Sequence, residues 1–325
     1  MAADAANKTG VLLVNLGSPA SIKVRDVRRF LREFLGDPRV VNLPRPLWWL
    51  ILNLFVLPFR PKKSAHAYAS IWTEQGSPLI VFTRQLAQKL SMRIGGEQVL
   101  VDCAMRYGDP ALAEKLAEFK RQDVSRIVII PLYPQYSSTT TASIFDVVAE
   151  VFVGWRHMPS LRFISDFHQH PAYIQAVADT VRAHWRDHGQ ADCLVMSFHG
   201  LPAKLTELGD PYYDQCQSTG KLIADNLGLR ESQWKLVFQS RFGRAEWLKP
   251  YCVEVLKELP QQGIKSVDLL CPGFSVDCLE TLEEIAIANR ELFLEAGGES
   301  YRYIAALNDS DVHVELMQTL IESAH

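Results

Sequence analysis

Eight short apolar runs recur along the chain, at 10–15, 99–105, 126–131, 161–164, 193–197, 235–239, 266–271 and 301–304. Each spans four to seven residues, is rich in Val, Ile and Leu, and stops at glycine, proline or polar residues. Runs of this length without polar alternation suit strands covered on both faces, as in a parallel sheet. Longer amphipathic stretches lie between them, at 24–35, 110–121, 140–153, 171–188, 213–227, 245–258 and 279–296. In the first, VRDVRRFLREFL, Val24, Val27, Leu31, Phe34 and Leu35 fall on one side and the arginines opposite. Strand–helix alternation of this kind implies right-handed crossovers and an α/β doubly wound architecture. The runs divide four and four about the stretch 165–171. The expectation is two similar Rossmann-like lobes, 1–168 and 169–325, each a four-stranded parallel sheet flanked by helices. No low-complexity linker parts them, so a shared cleft is expected. Ligands in such folds bind beyond the carboxyl ends of the strands.

Composition narrows the class. The chain has 325 residues, 48% of them hydrophobic and 22% charged, which excludes a disordered chain. A formal net charge of −3 offers no general attraction to nucleic acid, and none is expected as a partner. Six cysteines (103, 193, 216, 252, 271 and 278) include no CxxC pair, which speaks against a disulfide framework and fits a reducing cytoplasm. Residues 1–10 lack the basic and apolar regions of a secretory signal, so a cytoplasmic protein is expected. The segment 47–57, LWWLILNLFVL, is far shorter than the roughly 20 apolar residues of a spanning helix. Prolines 44, 46, 58 and 61 fence it, and Arg39, Arg45, Arg60, Lys62 and Lys63 flank it. It reads either as a core helix or as an exposed lip, at about 44–61, that meets lipid or a large apolar ligand. Trp48 and Trp49 beside cations favour the lip, and with it a peripheral contact on the inner face of the membrane.

The loops after the strands carry the candidate chemistry. Leu16-Gly17-Ser18-Pro19 after the first strand is neither GxGxxG nor part of a Walker sequence, which disfavours a nucleotide. The loop 131–141, PLYPQYSSTTT, offers hydroxyls that suit helix capping and an anion at a helix start. Ser197-Phe198-His199-Gly200 places a histidine on a strand end, where it reads as a proton-transfer group or as a structural loop histidine. Asp210-Pro211 reads as a helix start. Arg241, in the loop after the sixth strand, is placed to meet an acidic ligand group. In the segment 271–284, Glu280 and Glu284 share one helix face, as solvated acids or as a metal or proton path.

These segments together resemble the ferrochelatase family nearly from end to end. The motifs are VLLVNLGSP at 11–19, FLREFLGDPRVV at 30–41, IWTEQGSPL at 71–79, MRYGDP at 105–110, PLYPQYSSTTTAS at 131–143, SFHGLP at 197–202, GDPYYDQC at 209–216, FQSRFG at 238–243 and CPGFSVDCLETLEEI at 271–285. The resemblance implies the chelatase fold and insertion of Fe²⁺ into protoporphyrin IX with release of two protons, the last step of haem synthesis. It implies catalytic His199 and Glu280 on opposite walls of the cleft, with His199, Glu280 and Glu284 as metal contacts for the iron substrate. A neutral imidazole can accept pyrrole protons, and a carboxylate can neutralise charge, deliver metal or relay a proton. Leu16, Ser77, Arg106, Tyr107, Tyr136 and the 47–57 lip are implied to line the porphyrin. Arg106 is the expected propionate contact, because a guanidinium pairs bidentately with a carboxylate.

The chain departs from the family pattern in three places. Cys278 stands where many relatives carry histidine, and Ala288 interrupts an acidic ridge seen in some. No cysteine follows Cys278, so no iron–sulfur cluster and no other cofactor is expected. Two alternatives remain: a related chelatase acting on coproporphyrin or using cobalt, and a porphyrin or haem carrier that needs neither His199 nor Glu280.

Overall fold

A computed structural model of the chain describes residues 8–243 and 245–323. Most of the 1–10 stretch that was read for a signal lies outside the described residues. The eight apolar runs form eight strands: β1 (Thr9–Gly17), β2 (Val99–Tyr107), β3 (Arg126–Pro131), β4 (Ser160–Phe163), β5 (Cys193–His199), β6 (Trp234–Gln239), β7 (Ser266–Leu270) and β8 (Ser300–Tyr303). They build two four-stranded, all-parallel sheets, in the orders β2-β1-β3-β4 and β6-β5-β7-β8. The expected α/β class, two similar lobes with four parallel strands each, is what the chain forms.

The first unit holds the described residues up to Tyr133, then Ser137–Asp166, and the chain from Asp309 onward. Its core sets Leu12, Val14, Ile127 and Ile129 of the sheet against Leu116 and Phe119 of one helix and Ile144 and Val148 of another. β1 and β2 are joined by an unusually long crossover, which contains the helices Val24–Gly36, Arg45–Ile51, Arg60–Ile71 and Pro78–Ile94. Gly17 ends β1 at φ +108°, and a Cβ there would meet the Tyr107 carbonyl oxygen at 1.8 Å. Only glycine fits that turn.

The second unit holds Pro134–Tyr136 and Phe167–Asn308. Val195, Val237, Val267 and Leu269 pack against Leu256, Ile285 and Phe293 of the covering helices. Its crossovers are short: Tyr212–Leu227 joins β5 to β6, and Cys252–Glu258 joins β6 to β7.

Several boundaries differ from the sequence pattern. Helices Arg60–Ile71, Pro78–Ile94 and Asp311–Glu322 are additional to it. The last of these packs in the first unit, not with 169–325 as the expected boundary had it. There Arg93 Nε donates to Gln318 Oε1 at 2.6 Å and Arg162 to the Leu320 and Ile321 carbonyls, both at 2.7 Å. The helix expected over 245–258 begins only at Cys252, after Pro250, which has no N–H to donate inside a helix.

Candidate active site

In both sheets the chain runs outward one way from the first strand and then returns to its other side. The topological switch points are therefore β1/β3 in the first unit and β5/β7 in the second, where open α/β sheets bind ligands. His199 ends β5, and the segment after β7 carries Glu280 and Glu284, so these three residues flank the second unit's switch point.

His199 is half-buried, and its Nδ1 lies 2.6 Å from the Gly200 carbonyl oxygen. A carbonyl can only accept, so Nδ1 is the donor, and in the neutral form of the ring the lone pair lies on Nε2. Gly200 is required here, because a Cβ would meet the Gln239 carbonyl at 2.6 Å. The neighbouring strand is thus in backbone contact with the turn that aims the histidine.

After β7 the chain is fixed by Asp277. Its carboxylate accepts from Thr281 Oγ1 at 2.9 Å, Tyr303 OH at 2.5 Å and Asn308 Nδ2 at 2.7 Å. From Glu280 to Ala288 the helix is wound as a π-helix, and the Asn289 N–H reaches back five residues to the Glu284 carbonyl. Such winding leaves carbonyls for other donors and is frequent at functional sites. Gln239 Nε2 takes the Glu280 carbonyl at 2.8 Å, and Tyr301 OH takes that of Ile285 at 2.7 Å.

Glu284 is gripped by one residue. The Ser240 N–H donates to Oε1 at 2.7 Å and its hydroxyl to Oε2 at 2.5 Å. Ser240 adopts φ +63°, a left-handed conformation that costs a non-glycine residue energy and is common at functional sites. Burial pushes the Glu284 carboxyl above its ordinary range, and the negative charge of Glu280 adds to this, against the Ser240 bonds and the pull of His199. A raised carboxyl beside a second acid in a cleft is a candidate functional group. Cys278 is buried beside Glu280, and both effects push its thiol well up, so it stands there as a neutral thiol.

The remaining expected residues divide between the units. Tyr136, in the second, donates its backbone N–H to Gln215 Oε1 at 2.6 Å. Arg241 stacks on Tyr251, with its guanidinium carbon 4.4 Å from the ring centre, and lies 3.7 Å from a Glu254 oxygen. In the first unit Leu16 is half-buried near the end of β1, its N–H held by Asn15 Oδ1 at 2.8 Å. Ser77 is buried ahead of helix Pro78–Ile94, which its side chain does not cap. Arg106 and Tyr107 meet at Asp37. Arg106 Nη2 and the Tyr107 hydroxyl donate to Asp37 Oδ2 at 2.6 and 2.8 Å, and the Ser143 hydroxyl does so at 2.6 Å. Burial raises the Asp37 carboxyl, but these donors and the Arg39 N–H outweigh it and hold the group below its ordinary range.

The 47–57 segment resolves into two faces. Trp48, Leu52 and Leu57 are buried, whereas Trp49 and Phe55 are 63% and 67% exposed, with Leu47, Leu50 and Leu54 also outward and Phe59, just beyond the segment, 72% exposed. It is both a packed helix and an apolar lip. Among the described residues no helix is long and apolar enough to cross a membrane.

The ferrochelatase family model matches residues 8–325. The chain belongs to the ferrochelatase family. The ferrochelatase of Methylococcus capsulatus is 56% identical over 317 residues, which cover 98% of this chain and 97% of that one. Ferrochelatase 1 of Shewanella oneidensis is 51% identical over 96% of this chain and 95% of its own length. Among solved structures, SirB from Bacillus subtilis with Fe³⁺ superposes with a TM-score of 0.58 at 11% identity, over 98% of this chain and 97% of that one. CbiX, the terminal enzyme of sirohaem biosynthesis in denitrifying bacteria, does so with a TM-score of 0.54 at 13% identity, over 97% of this chain and 99% of that one. At such identities the likeness carries the fold alone.

Sequence reasoning passed over Asp37, Ser143, Gln239 and Ser240 as individual residues, although all four lie within motifs it quoted. Nothing in a serine's chemistry signals a left-handed backbone, and an aspartate before proline reads first as a turn.

Proposed function

We propose that the chain inserts Fe²⁺ into protoporphyrin IX, with His199 as the proton acceptor and the Glu280–Glu284 helix as the route for metal or proton. Membership of the ferrochelatase family supports iron insertion into a porphyrin in haem synthesis. The observation that carries the assignment of roles is the Nδ1–Gly200 bond, which makes Nδ1 the donor, so that Nε2 is the nitrogen left to accept in the neutral ring.

Metalation exchanges two pyrrole protons for one divalent cation, so the site must remove protons while tolerating incoming positive charge. A neutral imidazole meets the first need at neutral pH. The second falls to Glu280 and Glu284, of which Glu284 is held by Ser240 and has its carboxyl raised by burial. In this reading the iron substrate meets His199, Glu280 and Glu284 in passing rather than in one coordination shell, since among the described residues no three His, Cys, Asp or Glu side chains are grouped to hold a metal ion.

The first unit contributes apolar surface. Six outward apolar side chains on the 47–59 arm suit a flat, poorly soluble macrocycle and a lipid surface alike. Cations near them, among them Arg45, Lys62 and Lys63, would favour an anionic bilayer, so the reading includes peripheral attachment. The apolar arm also favours protoporphyrin over the more acidic coproporphyrin. Leu16, Ser77, Tyr136 and Arg241 are the proposed porphyrin contacts; Arg106 and Tyr107, expected among them, are instead tied to Asp37 and Ser143. The reading includes no resident iron–sulfur cluster: a cluster needs several cysteines brought together, and among the described residues no three His, Cys, Asp or Glu side chains are grouped to hold a metal.

The test is anaerobic turnover of protoporphyrin with Fe²⁺, followed by loss of porphyrin fluorescence, for the wild type, His199→Ala and Glu280→Gln. Turnover lost in the first variant and much reduced in the second supports the reading. Porphyrin binding without turnover by the wild type overturns it in favour of a carrier. Faster turnover of coproporphyrin, or with cobalt, reassigns the substrate.

A further inference from the structure

Asp37 joins three parts of the first unit that are distant in sequence. Its carboxylate is almost wholly buried, and Oδ2 alone accepts from Arg106, Tyr107 and Ser143 at 2.6, 2.8 and 2.6 Å, while Oδ1 takes the Arg39 N–H at 2.7 Å. Arg106 and Tyr107 end β2, and Ser143 lies in the first turn of helix Thr141–Val153. That same helix holds the turn after Asp37 a second time, because Arg39 Nε and Nη2 donate to Asp146 at 2.8 and 3.0 Å.

On its other side Asp37 adjoins the base of the apolar arm. Helix Val24–Gly36 ends just before it, and the freed carbonyls of that end are taken by the arm: Trp48 Nε1 donates to Leu35 O at 2.6 Å and Arg45 Nη2 to Gly36 O at 2.5 Å. Residues 35–37 are therefore stitched forward to the arm and sideways to β2 and helix Thr141–Val153. A buried carboxylate with four donors is a stiff joint, because loss of any partner strands a polar group away from water. The inner face of the arm is packed through buried Trp48, Leu52 and Leu57, and its polar tie to residues 35–37 is made at this base, through Trp48 Nε1 and Arg45.

We propose that Asp37 is a positioning residue for porphyrin binding, which sets the apolar arm through residues 35–48 and uses Arg106, Tyr107 and Ser143 as its struts. Arg106 then serves as a bracket whose Nε and Nη2 are spent on Ser143 and Asp37. This rests on the reading of the protein as a porphyrin metalating enzyme. Asp37 touches neither porphyrin nor iron in the proposal; it acts by where it holds the arm.

The variants are Asp37→Asn, which keeps the shape but replaces an acceptor with a donor, and Ser143→Ala, which removes one strut and suits a helix. KM for porphyrin, KM for Fe²⁺, kcat and the porphyrin dissociation constant by fluorescence are measured on each. The expected result is a rise in porphyrin KM of about tenfold for Asp37→Asn and about threefold for Ser143→Ala, with the Fe²⁺ KM unchanged. A purely structural role would reduce the active fraction, and hence kcat, with both KM values unmoved, and would overturn the proposal. Should Asp37→Asn fail to fold, Ser143→Ala decides alone by the same criterion. If the wild type binds porphyrin but turns nothing over, the metalation reading fails. The positioning role is then judged on the dissociation constants, which it requires to weaken in the same order.

Discussion

The two units share one strand order and one direction of winding, yet they differ in where the extra chain is placed. In the first, the β1–β2 crossover holds four helices and an apolar arm; in the second, the matching β5–β6 crossover is built mainly of the single long helix Tyr212–Leu227. The second instead places unusual backbone at its switch point: a left-handed Ser240, a π-wound Glu280–Ala288 and a histidine at the end of β5. Common topology thus fixes where a ligand site can form. What is added differs between the units: apolar surface in the first and titratable groups in the second.

That division breaks if chemistry does not depend on the second unit. His199→Ala should lower kcat by about 10²–10⁴-fold, the range of a general base, with porphyrin affinity little changed. Near-wild-type kcat in this variant would remove the second unit's claim to the proton step.

The next test sharpens how that unit holds its acid. Ser240→Ala keeps the N–H bond to Glu284 and removes the hydroxyl bond, so kcat should fall by about tenfold, the worth of one hydrogen bond to a charged group. In a Glu284→Gln background the same change should cost little more, because its route to the reaction is already cut. Full additivity of the two would show that Ser240 acts elsewhere.

The comparison also shows what a sequence exposes. All eight strands were legible, since apolar runs buried on both faces have no other stable use at that length. Helices Arg60–Ile71 and Pro78–Ile94 were not, because they lie in a crossover that holds four helices where strand–helix alternation asks for one. In the candidate site, the placement of His199, Glu280 and Glu284 after strands was legible from the apolar runs that precede them. Asp37 and Ser240 were not, because their importance lies in how many donors converge on one carboxylate and in a backbone angle. Neither leaves a trace in spacing. The arm was legible as apolar but not as two-faced: Trp48 and Trp49 are adjacent in sequence and opposite in burial.

The first unit's share is tested through that exposed face. Replacing Trp49 and Phe55 by serine removes two outward aromatic side chains and leaves buried Trp48 in place. Partition onto vesicles containing anionic lipid should weaken by about tenfold, equivalent to about 1.4 kcal/mol, with melting temperature held. Unchanged flotation would leave the arm to the porphyrin alone. His199→Ala in the same assay should float like the wild type, which keeps the two units' roles apart.

The smallest effect expected concerns acid, and it isolates the charge on Asp37 from its shape. The carboxyl titrates lower in the fold than in the unfolded chain, where it lies at about 3.9, so the unfolded state binds the proton more readily. Stability from this group is therefore complete above about pH 4 and is lost as pH falls through the lower, folded value. Asp37→Asn carries no such charge at any pH. The gap between wild type and variant in urea midpoint, about half a molar at pH 6, should close as pH is lowered below 4. A gap that stays constant down to pH 3 would mean that the ionised form contributes nothing beyond its hydrogen-bonding shape, and the joint at the base of the arm would then be one of geometry rather than charge.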